Sequence, residues 1–414
     1  MGRPLPPDAP ELIHLDPARF RRQGHALVDK MADYLVSAQG GEMPSLPWLD
    51  PLEQAERWRL PAEPNGGGDP IQLLSDVMAA SQHLHHPGTM GHQVPGPLPV
   101  AVLADAVTSL LNNSAAIYEM APAATLMERE VVAWMARALG LGAEAGGVLT
   151  SGGSLGTLRA LLAARQALDG GGRRLSLLAG AQAHYSVSRA AAVMGLDANA
   201  VVPVAVDENF RLAPSALPGA LEQARQGGRR PFALVATAGS TATGSFDPLD
   251  AAADFCRDND LWLHVDAAHG GAAALSPALR GRLAGVERAD SVVWDGHKLL
   301  LMPSLVTGVL FRRADHCLDT FSQEASYLLG RDPREEWFNL SHQTLECTKN
   351  TMGLKLWLTL KVVGAQALGA LVERLFGLAG ALARTLEAAD DFELAVAPQA
   401  NIVCFRHLPG ADLA

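Results

Sequence analysis

The sequence predicts an α/β protein built on a mostly parallel seven-stranded sheet, with an N-terminal helical segment and a partial C-terminal α+β domain. Two observations carry that expectation. Between residues 147 and 312, seven short apolar runs alternate with stretches long enough for crossover helices, the pattern of a largely parallel sheet covered on both faces. Polar residues at Ser154, Thr241, Asp266 and Lys298 follow those runs, at the carboxyl strand ends where open sheets of this kind bind ligands.

The elements can be justified in chain order. Asp16-Pro17 reads as a helix cap followed by proline in the first turn, and Phe20, Leu27, Met31 and Leu35 then recur at helical spacing. An amphipathic helix is expected there. Residues 44–70 are rich in Pro and Gly and read as an extended connection, after which the helical pattern resumes. The strands are expected at Gly147 to Thr150, Leu175 to Ala179, Val201 to Val206, Phe232 to Ala236, Leu261 to Val265, Ser291 to Trp294 and Val306 to Phe311. Segments 154–168 and 247–258 are long enough for crossover helices. Residues 354–388 read as long helices, and 393–406 as the start of a small α+β unit. The expected divisions are a helical segment over 1–81, a large domain over 82–355, and a small, incomplete C-terminal domain over 356–414.

Composition narrows the function classes. A chain of 414 residues with 48% hydrophobic and 19% charged residues fits a globular protein with a large core. A net charge of −11 and the lack of a Lys/Arg stripe argue against nucleic-acid partners. Cys256, Cys317, Cys347 and Cys404 contain no CxxC pair, so free thiols are expected. The N-terminus lacks an apolar signal region, Pro6 spoils a myristoylation signal, and no charge-free apolar run is long enough to span a bilayer. A cytoplasmic protein with no membrane partner is the expectation. His83, His85, His86 and His92 lack a carboxylate or Cys at ligand spacing, and no metal site is expected.

Three segments carry chemistry. Ser291-Val-Val-Trp-Asp-Gly-His-Lys298 delivers a His-Lys pair from an apolar strand to an open strand end. Leu263-His-Val-Asp-Ala-Ala-His269 places an acid behind another strand, and Thr150-Ser-Gly-Gly-Ser154 sets small residues before a helix. Amine, acid and phosphate cradle together describe a pyridoxal 5'-phosphate (PLP) site. Lys298 would be the Schiff-base nucleophile, and its apolar flanks, Val292-Val-Trp294 and Leu299-Leu-Leu-Met302, set it apart from an ordinary exposed lysine. Asp266 would bond the pyridinium nitrogen, although Asp after a strand commonly caps the next helix. Gly153 and Ser154 at a helix N-terminus suit a phosphate dianion, and His184 could lie over the ring, although a lone histidine is more often structural.

Together His184, Gly239-Ser-Thr-Ala-Thr-Gly-Ser-Phe-Asp247, His264-Val-Asp-Ala-Ala268 and Asp290 through Lys298 resemble the group II PLP-dependent amino-acid decarboxylases. That family acts on aromatic amino acids, glutamate, cysteine sulfinate or diaminobutyrate. The resemblance runs from near Phe20 to Phe405 and implies the fold-type I transferase-like architecture. It makes Lys298 the Schiff-base lysine, Asp266 the pyridinium partner and His184 the stacking residue. Ala268 would underlie the ring, Thr241 would sit near the cofactor, and Gly153, Ser154 and His297 would help hold the phosphate. It also implies a homodimer whose N-terminal segment wraps the partner. Tyr327 matches a loop tyrosine that protonates the carbanion after CO₂ leaves, which favours simple decarboxylation over aldehyde formation.

The chain departs from many relatives in carrying Asp295-Gly296 before the His-Lys pair, which sets a carboxylate near the phosphate. Phosphate binding is therefore not assigned to Asp295. The expected reaction is decarboxylation of an L-amino acid to its amine. His92-Gln93, Asn112 through Pro122 and Glu346-Cys-Thr-Lys349 lean toward an acidic substrate, with His92, Gln93 and Lys349 as candidate contacts. A solvated Lys349 at a helix start is the competing reading. Aromatic and diamino acids stay open, as do another PLP reaction on the same site and a non-catalytic homologue.

Overall fold

The protein is described from a computed structural model, over residues 16–63, 68–168, 174–322 and 338–408. It forms two units, one ending at Gly96 and one beginning at Pro97.

Three helices of the first unit start by one device. In α1 (Pro17–Gly40), α2 (Pro51–Arg57) and α3 (Pro70–Ala79), an Asp precedes a Pro. Asp16 accepts from the Ala18 and Arg19 amides, Asp50 from Leu52, and Asp69 from Ile71. Each carboxylate satisfies an amide that has no intrahelical partner, while the proline contributes no orphan N–H and is preset in φ. Helix α2 lies inside the segment expected to be extended, which corrects that expectation. On α1, Phe20, Val28 and Val36 stay exposed.

The second unit begins with α4 (Pro99–Leu111) and α5 (Pro122–Leu139). The sheet region then runs β1 (Gly146–Thr150), α6 (Gly153–Ala167), β2 (Leu175–Gly180), α7 (Ser186–Val193), β3 (Val201–Val204), α8 (Leu217–Gln226), β4 (Arg230–Thr237), α9 (Leu249–Asp258), β5 (Trp262–Asp266), β6 (Ser291–Asp295) and β7 (Thr307–Phe311). Helices α10 (Asp315–Phe321), α11 (Gly353–Val362) and α12 (Ala365–Glu387) follow, and strands β8 (Phe392–Leu394) and β9 (Phe405–His407) pair as a small antiparallel sheet. Among the described residues α12 is the one helix long and apolar enough to cross a bilayer. It buries Leu368, Val372, Phe376, Ala383 and Leu386 in this unit.

The seven strands lie in the order β1-β7-β6-β5-β4-β2-β3. All neighbours are parallel except β7, which runs antiparallel to both β1 and β6. Successive strand residues feed opposite cores: Leu149, Leu178, Leu234, Val292 and Leu310 pack on one face, Val148, Leu177, Val235, Val293 and Val309 on the other. Side chains alternate with a period of two, so a sheet covered on both faces needs apolar residues at both parities. Each such side chain contributes roughly 1.5–3 kcal/mol relative to exposure.

Candidate active site

The reversed strand β7 sets the site. Its first residue, Thr307, stands opposite Thr150 at the end of β1 and opposite Asp295 at the end of β6. The glycine turn after β1 and the loop that carries Lys298 therefore emerge side by side. Asp266, the last residue of β5, pairs in register with Val293 of β6 and with Thr237 of β4.

In the loop after β6, Lys298 is 20% exposed at its side chain and its Nζ lies 3.3 Å from Asp295 Oδ2. Asp295 is 2% exposed, and its Oδ1 accepts from the Thr307 hydroxyl at 2.5 Å. His297 Nε2 lies 3.6 Å from Asp295 Oδ2, while its Nδ1 is 3.0 Å from the Val306 carbonyl oxygen. The lysine stem is thus partly enclosed and its ammonium faces a buried carboxylate.

On β5, Asp266 is buried and its Oδ1 accepts from the Ala268 amide at 3.1 Å. This bond closes a turn and caps no helix, since the 3₁₀ turn Gly270–Leu275 follows His269 with no side-chain cap, and it leaves Oδ2 for another donor. His184 accepts from the Ser186 amide through Nδ1 at 3.2 Å and stands 4.0 Å, ring to ring, from Tyr185. Burial pushes His184 below the ordinary imidazole range; the charges of Asp266 and Asp295 oppose that, while Lys298 and Arg189 reinforce it. The imidazole therefore sits within the field of both carboxylates and the lysine. With Nδ1 accepting, a neutral ring carries its proton on Nε2.

The turn between β1 and α6 is shaped for an anion. Gly152 has φ of 105°, a conformation that favours glycine, and α6 then opens with no side-chain cap on its amides. Gly153 faces inward, where a Cβ would stand 3.4 Å from both Asp295 carboxylate oxygens and 3.5 Å from the Ala268 methyl. Lysine, buried acid, flat imidazole, small floor residue and uncapped helix start fit PLP.

Residues 72–408 match the pyridoxal-dependent decarboxylase conserved domain. The chain belongs to that family. It is 32% identical over 406 residues to an aromatic-L-amino-acid decarboxylase of Bacillus atrophaeus, covering 96% of this chain and 84% of the relative. It is 34% identical over 378 residues to a cysteine sulfinic acid decarboxylase of Rattus norvegicus, covering 87% and 76%. The crystal structure of Oryza sativa TDC with PLP and tryptamine superposes with a TM-score of 0.87 at 27% identity, covering 97% of this chain and 86% of that one. The protein is a PLP-dependent amino-acid decarboxylase of fold-type I, a carboxy-lyase.

His92 and Gln93 belong to the first unit, where His92 has φ of 59°. Thr241 follows β4 and is exposed, and Tyr327 lies outside the described residues. Lys349 is not the solvated helix-start lysine of the competing reading: it is 2% exposed, with Nζ paired to Glu128 Oε2. Glu128 Oε1 in turn accepts from the Leu149 amide at 2.9 Å, so the pair joins α5 to β1. This ammonium already has a protein carboxylate as partner.

Two site residues escaped sequence reasoning. His269 is buried, with Nε2 2.6 Å from Asn401 Oδ1; burial and Lys298 push it down to about 4 against the opposing Asn401 bond. Asp247 accepts from the Leu212 and Thr237 amides at 2.7 Å each and so pins the end of β4 beside Asp266. Only the position of Asp247 in the Gly239 to Asp247 stretch hinted at it.

Proposed function

We propose that this decarboxylase converts an acidic L-amino acid, either glutamate, aspartate or cysteine sulfinate, into its amine and CO₂, working as a homodimer. The observation that carries the site assignment is Lys298 beside Asp295, with the charges of both and of Asp266 acting on His184. PLP, when bound, supplies the electron sink for the pair left by departing CO₂. Lys298 would anchor the cofactor covalently and later release the amine. Asp266 would accept the ring N–H, His184 would cover the ring as a flat neutral imidazole, and Ala268 would floor it. The amides of Gly153 and Ser154, with His297, would hold the phosphate at the start of α6. Thr241 would line the cofactor edge. Tyr327 of the partner subunit would return the proton to Cα.

The acidic lean rests on the sequence around His92-Gln93 and Asn112 through Pro122, and the rat relative is named for cysteine sulfinic acid. The aromatic relative from Bacillus atrophaeus favours the second reading, an aromatic substrate. Incubating the PLP-loaded protein with acidic, aromatic and diamino L-amino acids, while following CO₂ and amine by mass spectrometry, decides between them. Amine from an aromatic acid alone would overturn the proposal.

The dimer reading is supported by apolar side chains left uncovered on one chain. On α4, Leu103, Val107, Leu110 and Leu111 are exposed at helical spacing, and on α1 Phe20, Val28 and Val36 are exposed. Light scattering after size exclusion tests it. A cytoplasmic location is supported by four cysteines that form no disulfide.

A further inference from the structure

We propose that Asp295 sets how firmly this decarboxylase holds the phosphate of its cofactor, making PLP an exchangeable rather than a permanent resident. The inference rests on the assignment of Lys298 as anchor and of the Gly153 turn as phosphate cradle. Asp295 closes β6, with its amide fixed to the Ala268 carbonyl at 3.1 Å. Its carboxylate cannot turn away, because Thr307 donates to Oδ1 at 2.5 Å and the residue is buried. Both oxygens lie against Gly153, at the helix start that suits a dianion.

Among the described residues the groups facing this carboxylate are few. Lys298 at 3.3 Å and His297 at 3.6 Å come from its own loop, Thr307 from β7 is uncharged, and α6 offers only its amide dipoles. His184 also lies within its field. Without cofactor, the lysine balances the acid. Once the Lys298 amine is committed to the cofactor's aldehyde carbon, it can no longer serve Asp295 in the same way. The carboxylate is then left beside the phosphate, and like charges in a partly desolvated site repel. The phosphate group therefore contributes less to binding here than it would beside a neutral residue.

The contrast between PLP and pyridoxal, which lacks the phosphate, isolates this effect. Dissociation constants for both would be measured by absorbance titration of apo protein, wild type and Asp295→Asn. The variant should bind PLP about ten-fold more tightly, with pyridoxal changed less than about two-fold. Thr307→Ala, which frees the carboxylate to turn away and removes a bond to its charged form, should move the ratio the same way by a smaller factor of about three, and it serves if Asp295→Asn does not fold. An unchanged PLP-to-pyridoxal ratio in the variant that folds, or a weaker hold on PLP in Asp295→Asn, would overturn the inference. Borohydride fixation followed by peptide mass mapping separates the two levels. If the wild-type label is not on Lys298, the site assignment fails; if it is and the ratio does not move, only the role of Asp295 fails.

Discussion

Thr307 donates its hydroxyl to Asp295 across the β6–β7 pairing, and on its other side Thr307 stands opposite Thr150. One residue thus touches both halves of the site, the lysine loop and the glycine turn. The side chains that do chemistry are held at the ends of rigid strands, which is where geometry is best kept.

Lys298→Ala should remove amine production by more than about a thousand-fold, since a covalent anchor has no substitute among its neighbours. The borohydride-fixable cofactor should vanish with it. Full activity in the variant, measured by amine release, would remove Lys298 from its assigned role.

Tyr327→Phe should lower amine formation by at least about ten-fold and raise aldehyde and ammonia in the presence of oxygen. Product analysis by mass spectrometry reads this directly. An unaltered amine yield would leave the proton to another group.

Breaking the buried pair should cost stability rather than substrate affinity. Lys349→Met leaves Glu128 charged and buried, at a cost of about 3–5 kcal/mol by denaturant unfolding. Adding Glu128→Gln, which keeps an acceptor for the Leu149 amide, should restore much of that loss. A raised KM with unchanged stability would instead mark Lys349 as a substrate contact.

Acid should unfold the protein through its buried histidines. Burial lowers His264 and His269 from 6.5 to about 4, so between those values the unfolded chain binds more protons and stability is lost as pH falls. Asp247 acts in the other direction: burial raises it from 3.8 to about 6, so the folded form gains relative stability as pH falls through that window. Two groups outweigh one. These three groups together should cost roughly 3 kcal/mol between pH 7 and pH 4.5, and His264→Gln should flatten the slope in denaturant titrations at the two pH values. Stability unchanged over this range would contradict the assignment.

The positions of all seven strands were legible because each is an apolar run between turn-rich segments. The direction of β7 was not, since a strand buried on both faces reads as apolar whichever way it runs. Lys298, Asp266 and Gly153 could be chosen from their places behind strands, yet the nearness of lysine loop to glycine turn depends on that unread direction. Helix α2 was hidden by its proline-rich setting, although Asp50-Pro51 repeats the signature of Asp16-Pro17. The partner of Lys349 was hidden because Glu128 is 221 residues away in sequence. His269 was likewise silent, as its partner Asn401 enters from beyond α12.

The reversed strand also fixes the order in which this enzyme can come into being. The glycine turn after β1 leaves the ribosome long before Thr307 is synthesised, and until β7 slides between β1 and β6 it has no lysine loop beside it. A nascent chain ending before Phe311 owns the pieces of a cofactor site but not their adjacency, because β1 to β7 is the pairing most distant in sequence within the seven-stranded sheet. Cofactor colour in a growing chain would therefore mark the closing of the sheet, and PLP would meet only molecules whose central architecture is already complete.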